Sequence, residues 1–152
     1  MRIEQSFMLG VPVERAWRYV RDAQFVAACI PGCERVEALD GNNYLSTVAV
    51  AIGPFHMRFA LEIQILSERQ NVELRFRARG EEGGRASTLN SESVLRLEPA
   101  EEACTQVRLE SEVQVNGRLG RFGLGVMRKK TQDLAKQFAE LMSQRISAEL
   151  QT

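Results

Sequence analysis

The chain has 152 residues, a length that fits one domain able to bury a sizeable core without disulfide staples. Hydrophobic residues make up 44% and charged residues 26%, and 20 Lys plus Arg cancel 20 Asp plus Glu. Zero net charge argues against a dedicated nucleic-acid binder, which usually carries a basic domain, and no run of about 18 apolar residues is present to span a membrane. The start, Met1-Arg2-Ile3-Glu4-Gln5-Ser6-Phe7, lacks the basic-then-apolar order of an export signal, so the cytoplasm is the expected compartment. Cys29, Cys33 and Cys104 are then expected as free thiols. A single histidine, His56, argues against most multi-histidine metal sites.

Arg2 to Gly10 alternates weakly and reads as a strand. A helix follows, with Pro12 near its first turn and Ala16, Trp17 and Val20 as its apolar stripe. A second short helix is expected from about Ala23 to Cys29, ended by Pro31-Gly32.

From Cys33 to Asn116 the period is two. Gly41-Asn42-Asn43 marks a hairpin turn between strands Glu34–Leu39 and Tyr44–Ile52. Next, Phe55, Met57, Phe59, Leu61, Ile63 and Ile65 share one face of a strand, with His56, Arg58, Glu62 and Gln64 on the other. With a turn over Ser67 to Asn71, Val72, Leu74, Phe76 and Ala78 return along the same face, and Glu62 falls opposite Arg75 and Gln64 opposite Glu73. After Gly83-Gly84 come Leu89, Ser91, Ser93, Leu95 and Leu97 on one face. After Pro99 to Glu102 come Thr105, Val107, Leu109, Ser111, Val113 and Val115. About six consecutive strands joined by short turns predict an antiparallel meander.

Beyond Gly117 the period changes. Leu119, Phe122, Val126, Met127, Leu134, Phe138, Leu141, Met142 and Ile146 fall at three- and four-residue steps, which predicts a helix of about thirty residues running toward Thr152. The class is α+β. A sheet with one apolar face and one long amphipathic helix is solved by curling the sheet around the helix, with the two short helices closing one end.

If the apolar strand face points at the helix, Ser91, Ser93 and Ser111 point there too, and three hydroxyls on an apolar wall need partners. They either orient a ligand in a greasy pocket or bond to backbone and buried water. In the long helix, Lys130 and Thr131 interrupt the stripe; Lys130 is expected to reach solvent, and Thr131 is a candidate for a cavity wall. Glycines 117, 120, 123 and 125 crowd the helix start, which suggests close backbone approach or a flexible gate. Arg118, Arg121, Arg128, Lys129 and Lys130 make this end basic: a solvated face, or a docking patch for anionic lipid or an acidic partner. Cys29 and Cys33 lack the Cys-x-x-Cys spacing of a redox motif and read as small buried thiols in a turn. No Gly-x-Ser-x-Gly elbow is present, and the expected interior shows no general base, which argues against an enzyme.

Several segments resemble one family. Val13-Glu14-Arg15-Ala16-Trp17, Asp22, Ala27-Ala28-Cys29-Ile30-Pro31-Gly32-Cys33-Glu34, Val50-Ala51-Ile52-Gly53-Pro54 and Val115 to Gly123 are similar to the family of the carbon monoxide dehydrogenase G-subunit, within the START-like (Bet v 1-like) helix-grip superfamily. The resemblance runs in order over essentially the whole chain and implies a single START-like domain over residues 1–152. It implies a cavity between sheet and long helix, and an accessory role beside a molybdenum hydroxylase of the carbon monoxide dehydrogenase type. It also implies membrane recruitment of the enzyme and handling of a lipophilic quinone. Many members carry a further C-terminal extension with an apolar tail. This chain ends at Thr152, so the cavity is the favoured role.

The expected activity is therefore non-catalytic binding of a lipophilic small molecule, with no metal and no cofactor. Expected lining residues are Phe55, Met57, Phe59, Phe76, Leu95 and Leu109 from strands, and Phe122, Val126, Met127, Thr131 and Phe138 from the helix. Ser91, Ser93 and Ser111 add hydroxyls, and the resemblance puts Ile30 and Pro31 at the mouth. Peripheral contact with the inner face of the cell membrane is expected through Arg118, Arg121, Arg128 and Lys129. Two other readings stay open: a docking or membrane-recruitment module without an open pocket, and a cyclase- or hydratase-like enzyme of the same fold.

Overall fold

The computed structural model describes residues 1–150. Strand β1 (Arg2–Leu9) leads into two short helices, α1 (Val13–Val20) and α2 (Ala23–Cys29). Six strands follow: β2 (Cys33–Ala38), β3 (Asn43–Ile52), β4 (Phe55–Arg69), β5 (Glu73–Glu82), β6 (Ser87–Ala100) and β7 (Cys104–Gly117). A 3-10 segment, Arg118–Phe122, joins β7 to the long helix α3 (Leu124–Leu150).

Local chemistry explains these boundaries. Pro12 is the residue that caps α1 rather than one inside its first turn: its carbonyl accepts from the Arg15 and Ala16 amides at 3.0 and 2.9 Å, and it has no amide of its own to satisfy. Asp22 caps α2, accepting from the Phe25 amide at 3.1 Å. Between α2 and β2, Gly32 takes φ +83°, and a Cβ there would meet the Ala49 carbonyl oxygen at 2.1 Å. Only glycine lets the Pro31-Gly32 turn lie this close to β3.

The strands form one curved antiparallel sheet, ordered β1-β7-β6-β5-β4-β3-β2. The expected meander is β2 through β7; β1 adds a seventh strand, pairing Arg2 with Glu112 and Leu9 with Thr105. β4 is longer than expected and turns back at 70–72, with Asn71 at φ +67°. Glu62 therefore faces Arg79, and Gln64 faces Arg77, not the Arg75 and Glu73 that an earlier turn implies. The register shifts between Ile65 and Ser67, which leaves Leu66 as the extra residue of a bulge.

The last helix is shorter at its start than the apolar spacing suggests. Leu119 and Phe122 belong to the 3-10 segment, and α3 has 27 residues, about 40 Å. Gln151 and Thr152, where the expected helix ends, lie outside the described residues.

The interior divides into two clusters. One joins Leu9, Val11, Trp17, Leu97, Val107, Met142 and Ile146, with Leu9, Val107, Met142 and Ile146 fully buried. Each such side chain contributes about 1.5–3 kcal/mol by leaving water, so this cluster fixes α1 and the last turns of α3 on the sheet. The other cluster joins Met57, Phe59, Leu119 and Met127 at the opposite end of β4.

Candidate functional site

Between these two clusters the inner sheet face does not meet α3 in full contact. A cavity of about 390 Å³ remains, within the size range of small-molecule sites. The sheet wall includes Ile63 and Ile65 of β4, Leu74 and Phe76 of β5, and Leu95 of β6. Leu109 and Val113 of β7 extend it. Helix α3 contributes Thr131, Leu134, Ala135, Phe138 and Met142, and α2 with its following turn contributes Val26, Ile30 and Pro31. The wall is apolar because each strand alternates and the inward set is the aliphatic one.

Few polar side chains reach this wall. Ser93 and Ser111 face each other across β6 and β7, with their hydroxyl oxygens 2.7 Å apart. Ser91 lines the cavity two residues along β6, and its hydroxyl makes no hydrogen bond among the described residues. Thr131 donates to the Met127 carbonyl at 2.8 Å, inside its own helix. At the rim, Ser46 donates to the Arg35 carbonyl at 3.0 Å and Tyr44 to the Gly41 carbonyl at 3.0 Å. Arg21 also donates to the Gly41 carbonyl at 3.0 Å and pairs with Glu68 at 3.0 Å, so its charge is committed at the rim. Among the described residues Arg21 is the only charged one on the wall, which carries no carboxylate, imidazole or thiol.

Of the residues expected to line a pocket, ten are brought together here: Ile30, Pro31, Phe76, Ser91, Ser93, Leu95, Leu109, Ser111, Thr131 and Phe138. Six are placed elsewhere. Met57, Phe59 and Met127 are buried in the second cluster, with Phe122 packed against it. Phe55 meets Phe122 edge-on, ring centroids 5.2 Å apart, and Val126 is 45% exposed. Strand parity assigns the correct face to Phe55, Met57 and Phe59 but not their height along a 15-residue strand that outreaches the cavity. Reading the same parity further along the early strands would have added Ile3, Val36, Tyr44 and Val48 to the wall. No local signal marks Arg21, whose place depends on where α1 ends.

One acid does lie on the inner face. Extending the alternation of β5 through Gly80 brings Glu82 inside, where it is buried. Its carboxylate accepts from the Ser87 hydroxyl at 2.9 Å and from the Arg118 guanidinium, and Ser87 in turn accepts from the Leu119 amide at 3.0 Å. These contacts tie the start of the 3-10 segment to the β5–β6 connection, away from the cavity wall. Arg118 is thus held by a buried partner instead of standing free with Arg121, Arg128 and Lys129, which are exposed. Elsewhere His56 is exposed on the outer face, and no group of three metal-ligating side chains occurs among the described residues. A wider depression of about 690 Å³ on the outer sheet face is rimmed by Arg35, Glu37, Glu62, Arg79 and Glu81, the mixed charges of a solvated face.

The long helix held against a curved sheet agrees with the comparison to known families. The family model for the carbon monoxide dehydrogenase G-subunit (CoxG) matches residues 6–147. The chain belongs to the CoxG family. No curated protein matches it. A conserved protein from Geobacillus kaustophilus has the same fold at TM-score 0.89 and 21% identity, covering 97% of this chain and 96% of that one. A START superfamily protein from Mycobacterium smegmatis aligns at TM-score 0.78 and 12% identity, over 97% of each chain. The Zhui aromatase/cyclase from Streptomyces sp. R1128 aligns at TM-score 0.73 and 12% identity, over 99% of this chain and 95% of that one. This CoxG-family chain therefore has the START-like helix-grip fold. One of these neighbours bears an enzyme's name, so the activity has to be argued from the cavity and not from the fold.

Proposed function

We propose that this CoxG-family protein is a non-catalytic carrier of a lipophilic small molecule, with a quinone as the expected cargo. In this reading it is an accessory to a molybdenum hydroxylase of the carbon monoxide dehydrogenase type. The observation that carries the reading is the 390 Å³ cavity with a nearly all-aliphatic and aromatic wall. Transfer of apolar surface from water into such a wall supplies about 25 cal/mol per Å², without any charged anchor. The composition of the wall also supports binding over catalysis: proton transfer at a bound molecule needs a positioned acid or base, and the one inward acid, Glu82, is occupied by Arg118 and Ser87 outside the cavity. Ile30, Pro31, Phe76, Ser91, Ser93, Leu95, Leu109, Ser111, Thr131 and Phe138 are the residues proposed to contact the cargo.

A short-chain quinone tests this. The melting temperature is expected to rise with quinone concentration, because a ligand bound only by the folded state stabilises it by about 2.7 kcal/mol at a hundredfold excess over Kd. A melting temperature indifferent to quinones of differing head group overturns the quinone assignment.

A second reading rests on a separate observation. Phe55, Leu124 and Val126 are 48%, 66% and 45% exposed around the Phe55–Phe122 contact, with Arg121, Arg128 and Lys129 close by in sequence. Apolar tips beside cations suit the surface of an anionic bilayer. Among the described residues no helix is long and apolar enough to cross a membrane. Peripheral contact at the inner face of the cell membrane is the proposed form, with Arg118 no longer counted among its cations. Binding to vesicles containing anionic lipid, weakened by Leu124→Asp, is the expected result; equal binding by both proteins would remove this reading.

A further inference from the structure

We infer that the serine patch on β6 and β7 receives the polar end of the cargo and selects a neutral hydrogen-bond acceptor, such as a carbonyl, over a carboxylate. This deepens the carrier reading and rests on it.

A serine hydroxyl offers one donor and two acceptor lone pairs. In the Ser93–Ser111 pair, at 2.7 Å, one hydroxyl donates to the other, so one O–H of the two is left over. The Ser91 hydroxyl makes no hydrogen bond among the described residues and keeps its own O–H. The other hydroxyls of the wall have spent their protons on carbonyls: Thr131 on Met127, Ser46 on Arg35 and Tyr44 on Gly41. Two O–H donors therefore remain for the cavity, and both belong to adjacent positions of one inner face. Phe76 stands beside Ser93 on the neighbouring strand, giving a flat ring next to the donors.

No cation accompanies these donors. Arg21 is the only charged lining residue among those described, and it is engaged at the rim with Glu68 and Gly41. A carboxylate moved into this wall would lose its hydration and gain only neutral partners, which is strongly unfavourable. A carbonyl loses far less and regains its hydrogen bonds from the serines. Neutral carbonyl-bearing lipophiles therefore fit, and free fatty acids do not.

Calorimetry with three probes of similar shape tests this: 1-acetylnaphthalene, 1-isopropylnaphthalene and 1-naphthoate, each titrated into wild type and into S91A/S93A/S111A. In wild type, naphthoate is expected to bind at least about tenfold more weakly than acetylnaphthalene. The triple variant is expected to lose about tenfold in affinity for acetylnaphthalene while changing isopropylnaphthalene by less than about twofold. Equal losses for ketone and hydrocarbon would show that the serines serve only the shape of the wall, and naphthoate binding as tight as the ketone would remove the selectivity. Either result overturns this inference and leaves the carrier reading standing. Failure of all three probes to bind wild type would overturn both. The wild-type comparison of ketone with carboxylate needs no variant, so the inference stays testable if the triple variant is poorly folded.

Discussion

At the residue scale, burial and neighbouring charge set the chemistry of individual groups. Cys29 has no exposed surface, and burial pushes its thiol up from the ordinary value. Cys33 and Cys104 are only partly covered. Thiol labelling of the native protein at neutral pH is expected to modify Cys33 and Cys104 first, with Cys29 reacting only on unfolding; early labelling of Cys29 would contradict this placement. On the outer sheet face, Glu73 lies within 3.2 Å of Arg75, 3.3 Å of Arg96 and 3.7 Å of Arg69. The hydrogen bond from Arg75, with the charges of Arg75, Arg69 and Arg96, holds its carboxyl below the usual glutamate range. A carboxyl depressed on folding stabilises the protein above its unfolded pKa of about 4.3, and that contribution fades as pH falls through the lower folded value. Glu73→Gln is therefore expected to melt lower than wild type at pH 7 and to converge with it in acid; a gap constant with pH would contradict the charge argument. Alternation runs unbroken along β6 and β7, so it shows from sequence which way Ser91, Ser93 and Ser111 point. It does not reveal the partner of Arg118, because Glu82 lies 36 positions away and meets it only in the folded chain.

At the element scale, period separates strands from helices but does not mark where they stop. Strand β4 runs on to Arg69 before it turns, which moves its partners on β5 by several positions, and the bulge at Leu66 shifts those beyond it by one. Leu119 and Phe122 keep helical spacing, yet they sit in a 3-10 segment between Gly117 at φ +87° and Gly123 at φ +90°. Gly117 is under a further constraint: a Cβ there would meet the Ala86 carbonyl oxygen at 2.3 Å. Gly117→Ala is expected to destabilise the fold by about 1–3 kcal/mol or more in denaturant unfolding, and a neutral effect would mean that this junction relaxes freely. Arg118→Ala leaves the buried Glu82 carboxylate without its cation and is expected to cost about 2 kcal/mol. Adding Glu82→Gln should recover part of that loss, since the uncompensated charge is then gone; additive losses in the double variant would contradict a direct pairing.

Across the whole molecule, the inner face of the sheet serves three tasks in sequence: a packed core with α1, a cavity in the middle, and a second packed cluster under the 3-10 segment. Amphipathicity makes the helix-grip architecture legible, since only a curled sheet covers both apolar surfaces. The position of the cavity along that face depends on how far α3 stands off each strand, and no local pattern encodes a distance between elements. Alternation for that reason puts Phe55, Met57 and Phe59 on the right side and at the wrong height. The division also separates the two proposed activities in space. Val126→Asp, on the exposed face, is expected to lower vesicle binding and leave cargo binding unchanged; a matching loss of cargo would show that the two regions act as one. Whether the cavity holds a lipophile is tested most directly by organic-solvent extraction of the purified protein from a quinone-producing host, followed by mass spectrometry. Wild type should be compared with Ala135→Trp, which fills the cavity from α3. A near-stoichiometric quinone or related isoprenoid is expected from wild type and a depleted extract from Ala135→Trp; a clean wild-type extract, or the same molecule at equal yield from both, would contradict a cargo held in the cavity.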